Sequence, residues 1–156
     1  MLNLSLGGVG ACSTAYQQAV DAVTARNVVI VAAAGNSAGQ SVGTPANCRG
    51  VIAVAGLRHA GTKVGFSDLG PAIAIAAPGG NCVNIAPGEP CLYPLLTTTN
   101  RGFFGPVENS DAYSDSFTIS VGTSFAAPLV SGAAAMILAL RPEWNPAQVR
   151  EALQVS

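Results

Sequence analysis

The chain has 156 residues, of which 49% are apolar and only 10% charged, with a formal net charge of −1. That length holds one packed domain, and the few, scattered Lys and Arg residues exclude the basic surface that a nucleic-acid partner requires. Met1 runs straight into Leu2-Asn3-Leu4-Ser5-Leu6 without a basic leader or cleavage site, so the beginning of a larger protein is expected to lie elsewhere.

Leu2 to Leu6 reads as a short strand entering the turn Gly7-Gly8-Val9-Gly10. Ser13-Thr14 then offers an N-cap, and Tyr16, Ala19, Val20 and Val23 repeat at helical spacing up to Arg26-Asn27. Val28 to Ala32 is an unbroken, mostly β-branched run, as in a parallel strand covered on both faces. Strand, helix and strand make a βαβ unit. Further buried strands are predicted at Val51–Ala55 and near Ala72–Ala77, the latter stopped by Pro78-Gly79-Gly80. Asn81 to Ser116 is rich in turn residues and reads as one long excursion. Thr123–Leu140 is predicted as a helix apolar almost all round, hence central, and a last helix starts at Asn145-Pro146. Pro128 and Gly132 leave an apolar run of only Leu129 to Leu140, shorter than the roughly 20 residues of a membrane span, so no membrane partner is expected.

Chemistry concentrates in Gly122-Thr123-Ser124-Phe125-Ala126-Ala127-Pro128-Leu129-Val130-Ser131-Gly132. A serine at the start of a buried helix lies among unpaired N–H groups and the positive end of the dipole, where an oxyanion is stabilised. From Gly-Thr-Ser alone, Ser124 would be read as a helix cap. The whole string, however, resembles the nucleophile motif of the subtilisin-like serine proteases. Ala32-Ala33-Ala34-Gly35-Asn36 resembles that family's strand end, whose Asn donates to the oxyanion. Asn3-Leu4-Ser5-Leu6-Gly7-Gly8 resembles the strand and turn on which extended substrates pair. Val51–Ala55, Phe66-Ser67-Asp68-Leu69-Gly70-Pro71 and Ala77-Pro78-Gly79 resemble the intervening blocks.

The resemblance implies an α/β fold: a layered, mostly parallel sheet with helices on both faces, forming residues 1–156 of a partial peptidase domain. It implies a serine endopeptidase acting on polypeptides, with Ser124 as nucleophile and Asn36 in the oxyanion hole. Ser5, Leu6, Gly7, Gly8, Ala33, Ala34 and Gly35 would bind substrate. With Gly43 near its base, the specificity pocket is expected to hold no charge and to take an apolar or aromatic side chain. The family's Asp-Ser/Thr-Gly and His-Gly-Thr-His blocks, which complete the triad, are not in this sequence. They are expected upstream, in an amino-terminal half that is this chain's partner, and the 156 residues alone are expected to be inactive. His59, the single histidine, falls in a predicted surface turn and is expected to be idle.

No cofactor is expected. Calcium is conceivable in the parent enzyme, but Ala74 stands where some relatives place a ligating aspartate. The spacing of Cys12, Cys48, Cys82 and Cys91 does not suit zinc and leaves three disulfide pairings open. Placing the helix start and the turn before Val51 on one rim favours Cys12–Cys48, leaving Cys82–Cys91 across a short Pro-Gly loop. Disulfides imply a secreted or periplasmic protein. Two other readings compete: a relative that binds peptides without cleaving them, and a nucleotide-binding module based on Gly8-Val9-Gly10, which lacks the third glycine and the acidic residue of that fingerprint.

Overall fold

The architecture follows from two strands whose residues are apolar at every position. Val29, Val31 and Ala33 face one side of the sheet, and Ile30, Ala32 and Ala34 the other, and all six are buried. A strand with no polar face must be covered on both sides. The computed structural model describes residues 1–81, 95–114 and 121–155. Its main sheet is parallel and four-stranded, in the order β1 (Leu2–Leu4), β2 (Ile30–Ala33), β3 (Val51–Leu57), β4 (Ile73–Pro78).

Helix α1 (Thr14–Thr24) crosses from β1 to β2 and closes one face through Val20, packed with Ile30, Ala32, Val51 and Ala53. The Ser13 side chain caps it by accepting from the Tyr16 N–H at 3.2 Å. Of the expected stripe, Val20 and Val23 face the core, whereas Tyr16 and Ala19 do not. Tyr16 is half exposed, while Gln17 is drawn in because its amide bonds both the N–H and the carbonyl of Arg49, each at 3.0 Å.

On the other face lie α2 (Thr123–Leu140) and α3 (Pro146–Val155). Ala126, Ala127, Val130 and Ala134 pack α2 against Val31, Ile52, Val54 and Ala77, and Val149 and Leu153 of α3 complete the cluster. Small residues let the helix axis approach the sheet closely, and each fully buried Val or Ile contributes about 1.5–3 kcal/mol. Asn145 caps α3 by accepting from the N–H groups of Ala147 and Gln148. Helix α2 touches all four strands, but it is less enclosed than its composition predicts: Leu129, Met136 and Leu140 form an exposed stripe. By length and composition alone it could cross a membrane, yet it lies on the sheet.

Cys12 and Cys48 form a disulfide, with Cα atoms 5.1 Å apart, at the rim shared by the start of α1 and the turn before β3. Cys82 and Cys91, with the pairing expected for them, lie outside the described residues. The turn-rich excursion contains an antiparallel pair that the sequence reading did not predict, β5 (Thr97–Asn100) with β6 (Asp111–Ser114). Its strands are polar and only partly buried, so no apolar pattern marks them.

Candidate active site

The parallel sheet brings the end of β1, the end of β2 and the start of α2 to one edge. Helix α2 begins with N–H groups that have no partner within the helix. The first, on Thr123, donates to Asn36 Oδ1 at 2.9 Å. The Thr123 hydroxyl donates to the same oxygen at 2.9 Å and accepts from the Gly35 N–H at 3.2 Å. Two donors on Oδ1 fix the orientation of the carboxamide, which leaves the Nδ2 hydrogens of Asn36 for the cavity it shares with Ser124. Among the described residues nothing accepts from the Ser124 N–H.

Pro128 sets the other side of the serine. In a regular helix the Ser124 carbonyl would accept from the N–H of residue 128, and proline has none. The Ser5 hydroxyl takes that place, donating to the Ser124 carbonyl at 2.7 Å, while Ser124 Oγ donates to the Ser5 carbonyl at 3.3 Å. Ser5 is held in turn by the Asn3 side chain, which also accepts from Ser131 of α2. The end of β1 is thereby laced to the first turns of α2.

Leu6, Gly7, Gly8, Ala33, Ala34, Gly35 and Gly43 line one open cavity of about 550 Å³, together with Asn36, Thr123 and Ser124. Of the residues predicted to bind substrate, Ser5 alone stands outside the lining, tied to Ser124 from the side. Gly8 donates to the Thr44 carbonyl at 2.8 Å. Gly43 is required beside this pairing, because a Cβ there would collide with the Gly8 carbonyl. The glycine run is thus used in loop pairing, and α1 starts only at its own cap, Ser13.

The cavity is not free of charge, contrary to expectation. Asp68 lines it and is 3% exposed. Pairing of its segment with the loop after β2 carries it there: the Asp68 N–H donates to the Gly35 carbonyl at 3.0 Å, and its Oδ1 accepts from the Ser37 N–H at 2.8 Å. Gly35, at φ 114°, leaves room for the carboxylate, since a Cβ would meet Oδ2. The sequence shows Asp68 only as part of a structural block, 31 residues from Ser37 in the loop it joins. Thr123 went unnoticed for a similar reason, although it directly precedes the serine.

His59 occupies the exposed turn after β3, 3.5 Å from the Asn81 side chain, and is not part of the cavity. Among the described residues no three His, Cys, Asp or Glu side chains come together as a metal site.

Comparison with known proteins covers the whole chain. The family model described as "Subtilase family" matches residues 1–156. An "Extracellular protease" of Xanthomonas campestris pv. campestris is 36% identical over 156 residues, covering 99% of this chain and 24% of the relative. "Subtilisin" of Bacillus pumilus is 36% identical over 158 residues, covering 99% of this chain and 48% of the relative. A solved structure of proteases from Pseudoalteromonas arctica superimposes with a TM-score of 0.85 at 37% identity, covering 98% of this chain and 42% of that one. The chain thus spans a quarter to about half the length of these proteins.

Proposed function

The chain belongs to the subtilase family, and on that premise we propose that it supplies the nucleophile and the oxyanion donors of a secreted or periplasmic serine endopeptidase. Ser124 Oγ attacks the carbonyl of a peptide bond. The charge that develops on the carbonyl oxygen is held by the Ser124 N–H and the Asn36 side chain, groups already oriented before substrate arrives. The observation that carries this reading is the double hold of Thr123 on Asn36 Oδ1, which commits the acceptor end of the amide and leaves the donor end beside Ser124. The wall formed by Leu6 to Gly8 on one side and Ala33 to Gly35 on the other suits an extended polypeptide. The disulfide and the extracellular relatives support export. No step calls for a cofactor.

A serine hydroxyl needs a base within hydrogen-bond reach. His59, the single histidine of the sequence, is placed elsewhere. The base and the carboxylate that orients it therefore come from polypeptide outside these 156 residues, which act as one part of a larger catalytic domain. The intact polypeptide should hydrolyse casein and be labelled at Ser124 by a serine-directed phosphonate, and Ser124→Ala should lose both properties. The 156 residues alone should show neither, since an incomplete triad leaves only about 10³ to 10⁴ over the uncatalysed reaction. Undiminished hydrolysis by the Ser124→Ala protein would overturn the assignment.

A further inference from the structure

We infer that Asp68 makes the cavity beside Ser124 a pocket for a basic side chain, so that the substrate residue preceding the scissile bond is Lys or Arg in place of the apolar residue that the sequence leads one to expect. The inference rests on the proposed function and names the substrate class of that site.

Among the described residues lining the cavity, Asp68 is the single ionisable one. Its Oδ1 is committed to the Ser37 N–H, but its Oδ2 accepts no hydrogen bond from a described residue. The side chain is 3% exposed and lines the cavity, and a carboxylate oxygen left free there can accept a charge-assisted hydrogen bond from a substrate cation. Lys63, the nearest cation along the sequence, does not serve, because its ammonium bonds the carbonyls of Val64, Gly65 and Ser67 at 2.9–3.1 Å. A substrate cation entering past Ser124 meets Ala33, Ala34 and Gly35, which suit the methylene stem of Lys or Arg, and finds the carboxylate for its charged head. An acid in the specificity pocket is how serine proteases of another fold select basic residues.

The inference separates from a bracing role, because the two Asp68 oxygens differ. Asp68→Asn keeps an oxygen for the Ser37 N–H and removes the charge. In the intact polypeptide, chromogenic peptides that differ only in the residue before the scissile bond should give a wild-type kcat/KM for Lys or Arg above that for Phe. In Asp68→Asn the Lys-to-Phe ratio should fall by on the order of thirtyfold or more, the size expected when one partner of a buried charge pair is neutralised. Benzamidine, a cation of suitable size, should compete with the wild-type enzyme where neutral benzamide does not, and this measurement needs no variant. An unchanged ratio in Asp68→Asn, or benzamide as potent as benzamidine, would show that Asp68 only braces the loop. Cleavage of peptides without a basic preference defeats this inference alone. Failure to cleave any peptide or to react with the phosphonate defeats the proposed function as well.

Discussion

Asn36 anchors Thr123 through its Oδ1 and, in the proposed mechanism, holds the oxyanion through its Nδ2, and two substitutions pull these roles apart. Asn36→Ala removes both. Losing one oxyanion donor costs about 10² to 10³ in kcat, a magnitude taken from an oxyanion asparagine in a relative of this family. Losing Oδ1 leaves the Thr123 N–H without its acceptor, and Thr123 is fully buried. The threonine hydroxyl can rotate to another partner but the N–H cannot, so the stability loss should be about 1–3 kcal/mol. Asn36→Asp retains an acceptor for both Thr123 donors, and a carboxylate at a helix N-terminus is itself favourable. It also replaces the donor with an acceptor facing the developing negative charge, so its kcat should fall below that of the alanine variant. The two variants should therefore cross, alanine being the less stable and aspartate the less active. Steady-state kcat on a chromogenic peptide measures one axis. Urea unfolding followed by Trp144, which packs on the α2 core cluster, measures the other. An Asn36→Asp enzyme within tenfold of wild-type kcat would show that the Asn36 amide does not hold the oxyanion, and undiminished stability in Asn36→Ala would deny the tie to Thr123.

Ser5→Ala should destabilise the protein by about 1 kcal/mol, because the Ser124 carbonyl loses the donor that replaces the missing N–H of Pro128. Adding Pro128→Ala restores a backbone donor, so in urea unfolding the double variant should lose less than the sum of the two single changes. Replacing Cys12 and Cys48 together by Ser opens a loop with a sequence separation of 36, and the loss should approach but not exceed about 4 kcal/mol on the chain-entropy model. A midpoint unchanged by that replacement or by reductant would mean that the closed loop contributes nothing to stability.

How much was legible in the sequence depended on whether the signal was local. The continuous apolar run of β2 demanded cover on both faces, and helices are found on both. Asn145-Pro146 marked the start of α3 because a cap is read from neighbouring residues. Ser124 and Asn36 stood out through strings of residues that resemble a known family, not through any periodicity. What stayed hidden depends on contacts between distant segments. On α1 the apolar spacing placed Val20 and Val23 correctly but not Tyr16, and Gln17 went unread because only the backbone of Arg49, 32 residues away, holds it inward. Thr123 reads only as the residue before Ser124 until Asn36, 87 positions earlier in the chain, is seen to accept its N–H. Asp68 is the sharpest case. Its block reads as structural filler, and the ordinary expectation for a buried acid is a partner already in place. Only the pairing of its segment with Gly35 and Ser37 shows that one oxygen is committed and the other is not. The same loop pairing both braces the residues on either side of Asn36 and brings Asp68 to the cavity wall. Substitutions at Asp68 that remove the acceptor for Ser37 will mix the two effects, and the one-atom change to Asn is the variant that keeps them distinct.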